Sequence, residues 1–232
     1  AKYRESQART DHGTDHTRLE MGTELSLWSS SQGLVGYWGM DETIWSGAVA
    51  HDSGINGYAL NFYGSLQWEE GTDGKFYLDF DNDEYATFDW PDFALGPQTI
   101  SFWMNVDSMT GGWADIVGTT NNGDSNRFHL QTGDSSIMFY NILGGCGSLD
   151  SNVVPVVGTW YHVAGTTNGT QAKIYINGEL KNQSSCGIAS YTSQGIWLGG
   201  VTEDFNGKLD DVRLYKRALS ANEIADMYQC GR

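Results

Sequence analysis

The chain has 232 residues, enough for one all-β domain or for a smaller domain with an appendage, and its formal net charge is -16. That acidity leaves no clustered Lys and Arg to neutralise phosphates, so composition argues against nucleic acid as a partner. With 30 glycines, 13% aromatics and no apolar run near the roughly 20 residues that a bilayer span requires, the chain reads as short strands joined by tight turns. No signal peptide is visible, and a chain that begins at Ala1 is expected to be processed or truncated.

Residues 1–32 are polar, lack β alternation and end in Ser-Ser-Ser, which predicts a short helix or extended arm followed by a linker. From residue 33 to 232 the texture changes to strand and turn. "GLVGYW", "YALNFY", "FYLDF" and "YATFD" are short apolar or alternating runs. "DFDNDE" (79–84) lacks the later glycine and glutamate of an EF-hand and reads as a hairpin tip. "TISFWMNV" sets Ile100, Phe102, Met104 and Val106 on one face against Ser101, Trp103 and Asn105 on the other, so one face is buried. "FHLQT" and "IMFYNIL" read as a hairpin, and Asn177-Gly178 suits the two positive φ angles of a type I′ turn. Similar runs total about a dozen strands, which must stack as two sheets or close as a barrel. Ser220 followed by Glu223 forms a capping box, Leu219 can staple onto Ile224, and a short helix is predicted to dock on the strands.

Before that helix, "FNGKLDDVRLYKRALSANEI" carries adjacent carboxylates, Asp210 and Asp211, in a strand-like run. Adjacent strand residues face opposite ways, so at most one of them is expected to be buried. A buried carboxylate needs a cation, a metal or several donors to offset its desolvation. Cys146, Cys186 and Cys230 lack the paired spacings of zinc sites. Cys146 and Cys186, both in Gly/Ser-rich loops, are expected to form one disulfide, with Cys230 left over.

Seven segments, in order, resemble the laminin-G-like and pentraxin-like branch of the concanavalin A-type jelly rolls. They are "GLVGYWGMDE", "HDSGINGYAL", "LDFDNDEYATF", "TISFWMNV", "TWYHVAGTTN", "KIYINGEL" and "FNGKLDDVRLYKRALSANEI"; Asn82 departs from the family's usual glycine. The resemblance implies an all-β, antiparallel two-sheet jelly-roll sandwich, extracellular or at the cell surface, that often binds calcium and glycans or cell-surface proteins. Asp210 resembles the family position that carries a carboxylate from the last strand to the first segments. With oxygens of Asp52 and Asn56 in the first turn, and Asp41 as a further ligand, it implies a calcium site. Asp211 is left to solvent or to pairing with Arg213 or Lys216.

Laminarinase-type hydrolases share this sandwich and carry Glu-x-Asp-x-x-Glu on one strand; no such pattern occurs in the chain. No Gly-x-Ser-x-Gly elbow or zinc helix occurs either, and His129 and His162 read as sheet residues. The leading functional expectation is therefore a non-catalytic glycan-binding or adhesion module. Trp113, with Trp45, Trp68 and Trp90, would present aromatic faces at loops, while Trp38, Trp103, Trp160 and Trp197 pack. A second expectation comes from "AKYRESQARTD", which faintly resembles the stretch after the membrane helix of type IV pilin-like proteins. It implies the globular head of a surface filament, assembling through the N-terminal arm. A hydrolase or lyase of the same fold is the third.

Overall fold

The computed structural model describes residues 32–41, 49–54, 56–81, 83–95, 97–109, 114–120, 128–132, 136–141, 147–185, 191–200 and 205–232. In chain order the strands are β1 (Leu34–Trp38), β2 (Val49–Ala50), β3 (Leu60–Tyr63), β4 (Gln67–Glu70), β5 (Phe76–Phe80), β6 (Tyr85–Leu95), β7 (Gln98–Val106) and β8 (Ala114–Thr120). They continue with β9 (Phe128–Thr132), β10 (Ile137–Asn141), β11 (Gly147–Asp150), β12 (Trp160–Thr167), β13 (Gln171–Ile176), β14 (Glu179–Ser185), β15 (Tyr191–Leu198) and β16 (Gly207–Tyr215), and helix α1 (Ala221–Cys230) follows. The first sheet runs β14-β13-β12-β7-β16-β5-β4 with β1 also on β16; the second runs β11-β10-β9-β8-β15-β6-β3-β2. The pairings are antiparallel in both, as the jelly-roll expectation requires.

Alternation decides which side of each strand meets the other sheet. On β7, Ile100, Phe102, Met104 and Val106 join the core, and Leu78, Val163 and Leu209 do the same from β5, β12 and β16. Leu60, Ala86, Val117, Phe139, Ile196 and Leu198 come from the second sheet. Full burial of each large apolar side chain contributes about 1.5–3 kcal/mol before chain entropy is subtracted. Between β13 and β14 the turn has Asn177 at φ 52° and Gly178 at φ 78°, with Ile176 opposite Glu179, which is the expected type I′ hairpin.

The acidic stretch after β5 is not a hairpin tip. β5 lies in the first sheet and β6 in the second, so the chain crosses between sheets there. Glu84 receives the amide of Asp81 at 2.8 Å and so stiffens the crossing. Gly199, at φ 86°, closes a similar corner after β15; a Cβ on it would collide with the Phe80 ring and come within 2.9 Å of the Glu84 carbonyl oxygen. Gly199→Ala should therefore cost about 2 kcal/mol or more, combining backbone strain with displacement of a fully buried ring. Urea unfolding of the variant beside the parent checks it.

Helix α1 begins as the capping box foretells. The Ser220 hydroxyl accepts the Glu223 amide at 3.3 Å, and the Glu223 carboxylate accepts the Ser220 amide at 2.8 Å. Arg217 pairs with the same carboxylate at 2.6 Å. Ile224 and Leu219 are buried with Tyr175, Tyr215 and Ala164 in a second, smaller apolar cluster. Tyr175 and Ala164 belong to first-sheet strands yet lie outside the main core, so the helix covers the outer side of that sheet. No described helix is long and apolar enough to cross a membrane.

Candidate functional site

Both carboxylates of the adjacent pair are buried, Asp210 at 2% exposure and Asp211 at 7%, which corrects the expectation that one would face solvent. The cause is a bulge. Along the β16–β7 ladder Asp210 stands opposite Trp103 and Arg213 opposite Ser101, so three steps on one strand match two on the other. Asp211 takes up the extra residue with φ 53°, a left-handed conformation that Asp tolerates better than most side chains. Leu209 and Val212 can then both reach the core although three positions separate them.

Each carboxylate has its own cation. Asp211 accepts the Tyr37 hydroxyl at 2.6 Å and an Arg213 guanidinium nitrogen at 3.0 Å, and Arg213 lies 4.2 Å from the Tyr37 ring centre. The pairing with Arg213 is one that the sequence offered. Asp210 receives Arg232 through Nε at 3.2 Å, and the same guanidinium pairs with Asp73. Burial, then the Asp211 charge, push the Asp210 carboxyl up to about 8 against the pull of Arg232, and Asp41 adds to the push. Burial likewise raises the Tyr37 phenol, with the Asp211 carboxylate adding to it against the opposing pull of Arg213.

The residues expected to hold calcium are otherwise engaged. Asp52 Oδ1 accepts the amides of Tyr37 at 2.9 Å and Gly54 at 2.7 Å, and its Oδ2 accepts that of Tyr58 at 3.2 Å. Asn56 donates Nδ2 to the Val35 carbonyl at 2.6 Å. These bonds stitch the first turn to β1. Asp210 faces Arg232, and Asp41 is exposed. Among the described residues no group of three or more His, Cys, Asp or Glu is placed to hold a metal ion, so this donor set does not fit calcium as arranged.

Of the four tryptophans expected at loops, Trp45 and Trp113 lie outside the described residues, and Trp90 falls in strand β6. Trp68 corrects the expectation: it is 7% exposed and belongs to the main core, because β4 alternates and turns it inward between exposed Gln67 and Glu69. Trp160 differs in the opposite sense. It is half-buried on the outer side of the first sheet, 5.8 Å from the Tyr77 ring and 4.0 Å from the Arg232 guanidinium carbon. Cys146 and Cys186 lie outside the described residues, as do residues 1–31 of the arm with its pilin-like stretch; Cys230 is free and exposed.

The outer side of the first sheet thus gathers the polar chemistry of the domain. Register sets Gln67, Asp79, Lys208, Asn105 and Trp160 side by side across five strands. Lys208 sits 3.5 Å from Asp79 and also pairs with Asp107. Burial raises Asp79 to about 6 against the opposing Lys208 charge, with Glu69 adding to the rise. One row further, His162 is fully buried under Tyr228, 2.8 Å from the Ser101 hydroxyl. Sequence reasoning missed Arg232, Tyr77 and Tyr37 as site residues. Arg232 belongs to no motif and follows the helix by two positions; only the excess of carboxylates awaiting partners could have pointed to it.

A two-sheet antiparallel jelly roll with a capped helix on one outer face is the architecture of lectin-like binding modules. The chain belongs to the Concanavalin A-like lectin/glucanases superfamily: the Laminin_G_3 family model matches residues 80–225, more than half of it. No curated protein matches the chain. Among solved structures it is similar to the binding domain of Paraclostridial Mosquitocidal Protein 1, with 18% identity and a TM-score of 0.68 over 86% of this chain and 52% of that one. It is similar to a structure of botulinum neurotoxin type C, a toxin whose cell entry is dependent upon interaction with two ganglioside molecules, at 15% identity and TM-score 0.66 over 87% of this chain and 52% of that one. Domain 4 of AbnA, a GH43 extracellular arabinanase from Geobacillus stearothermophilus, in complex with arabinotriose, matches at 18% identity and TM-score 0.66 over 84% of this chain and 98% of that one. The chain spans about half the length of the toxin structures. At these identities the likeness shows the fold.

Proposed function

We infer that the chain is an extracellular, non-catalytic module that binds glycans or glycan-bearing receptors. The observation that carries this reading is its near whole-domain correspondence with a domain seen in complex with arabinotriose, 98% of which is covered. Two further features support it. The chain lacks the carboxylate pattern of the hydrolases that share this sandwich. Its first sheet also carries amide, carboxylate and ammonium side chains in one outward row, groups that hold sugar hydroxyls.

A glycan array that includes arabino-oligosaccharides and gangliosides, run once with calcium and once with chelator, tests the reading. At least one glycan family is expected to be retained, and release of reducing ends from the retained glycans should stay at background. Retention of none overturns the reading, and release of reducing ends would move the chain among the hydrolases. The two arms also separate direct sugar contact from contact through calcium.

A further inference from the structure

On the outer side of the first sheet Arg232 is enclosed as a bound ligand would be. Its side chain is 8% exposed. Its guanidinium carbon lies 4.0 Å from the Trp160 ring centre and 5.9 Å from that of Tyr77, its Nε is 3.2 Å from Asp210 Oδ2, and a terminal nitrogen pairs with Asp73. Aromatic faces with carboxylates at the nitrogens make a cage for a planar cation, and a lysine ammonium could not stack and reach two separate acceptors in this way. The cage is not fully used. Asp210 is 2% exposed, and among the described residues its Oδ1 has no hydrogen-bond partner. Arg232 approaches side-on through Nε and so meets only one of the two oxygens, a pull that leaves the carboxyl up at about 8, whereas an arginine entering end-on could engage both oxygens of the ionised carboxylate as a bidentate pair.

We propose that this cage is a docking site for an arginine side chain of a partner protein, and that Arg232 is its tethered occupant in the free chain. The exchange replaces one guanidinium by another, so the stacking and ion pairing that Arg232 gives up are restored by the newcomer, and the unmatched Oδ1 of Asp210 is the added partner that favours it. Tethering sets the threshold: Arg232 follows helix α1 by only Gly231, and an incoming arginine must outcompete its high local concentration. The acidic net charge of the chain draws basic partners toward the site. The proposal uses neither sugar nor calcium, so it stands or falls separately from the glycan reading.

The probes are acetyl-Gly-Arg-Gly-amide and its lysine counterpart, titrated by calorimetry into the full chain and into Arg232→Ala. The emptied cage should bind the arginine peptide at least tenfold more tightly than the parent does, and at least tenfold more tightly than it binds the lysine peptide. Adding Trp160→Leu should remove that preference. Equal binding of the two peptides would mean attraction to an acidic surface alone, and binding no tighter than the parent's would mean that the cage serves Arg232 only; either overturns the proposal. Should Arg232→Ala fail to fold, Arg232→Lys keeps a cation in place. The arginine peptide must then raise its melting temperature where the lysine peptide does not, and no such difference overturns the proposal equally.

Discussion

Asp210→Asn is expected to unfold at a higher urea concentration than the parent at pH 8 and above, although it removes a buried ion pair. The Asp210 carboxyl has an ordinary value of 3.8 and is held in the fold at about 8, by burial first and the Asp211 charge second. A raised value means that this group's contribution to stability is complete below pH 3.8 and is lost as pH rises through 8, because the unfolded chain ionises first. Each pH unit of that interval costs about 1.4 kcal/mol, and the whole interval is on the order of 6 kcal/mol. The value of about 8 already includes the attraction of Arg232, so what stands against the gain is the cost of burying an amide in place of the carboxyl, while Arg232 keeps Asp73. The net gain should be on the order of 2 kcal/mol, widening between pH 5 and pH 8. A variant less stable than the parent at every pH would show that the Arg232 pair outweighs the desolvation of Asp210.

The opposite limb of the pH range belongs to His162. Its ring is fully buried, and burial first, then the Arg213 charge, lower it from 6.5 to about 3. The neutral ring faces the Ser101 hydroxyl at 2.8 Å, and its Nδ1 has no hydrogen-bond partner among the described residues. An unfolded chain gains this proton below pH 6.5 while the folded one refuses it, so stability is lost as pH falls from 6.5 toward 3, by on the order of 5 kcal/mol in all. His162→Gln should therefore close the gap to the parent, or overtake it, at pH 4, although it is less stable at pH 7. Because Asp210 works in the other direction over the same interval, the difference between parent and variant carries the test. Parallel stability curves for the two proteins would remove His162 as the acid-sensitive group.

The sandwich could be read from the chain because its evidence is periodic and local. The core face of "TISFWMNV", the Asn177-Gly178 turn and the Ser220–Glu223 box each depend on residues within one turn or one strand, and each recurs in the structure, although β7 is buried on both faces and not on its core face alone. The polar site depends on partners far apart in sequence. Asp210 meets Arg232 and, through it, Asp73, and Asp211 meets Tyr37 across 174 positions. No spacing rule joins such residues. Trp68 and Trp160 show the same limit, since a tryptophan's side of a strand follows from register: one turns inward and the other meets a guanidinium. The hairpin expectation for "DFDNDE" fails because a crossing between sheets and a hairpin tip use the same turn-forming residues; only the pairing of β5 and β6 with different neighbours separates them.

The bulge at Asp211 can also be viewed as a change of reading frame in the strand. A β-strand has parity: odd and even positions face opposite sides, and deleting one residue exchanges the two sets downstream. β16 needs one parity for Leu209 and the other for Val212 and Leu214, all three of them fully buried in the core. A strand of unbroken parity would turn Val212 and Leu214 outward and Arg213 inward. Asp211 is the spacer that switches frames, and Asp210 is the last outward position of the first frame. The two neighbouring aspartates therefore feel each other's charge but share no partner: they belong to different halves of the strand, which explains why each has found a different arginine.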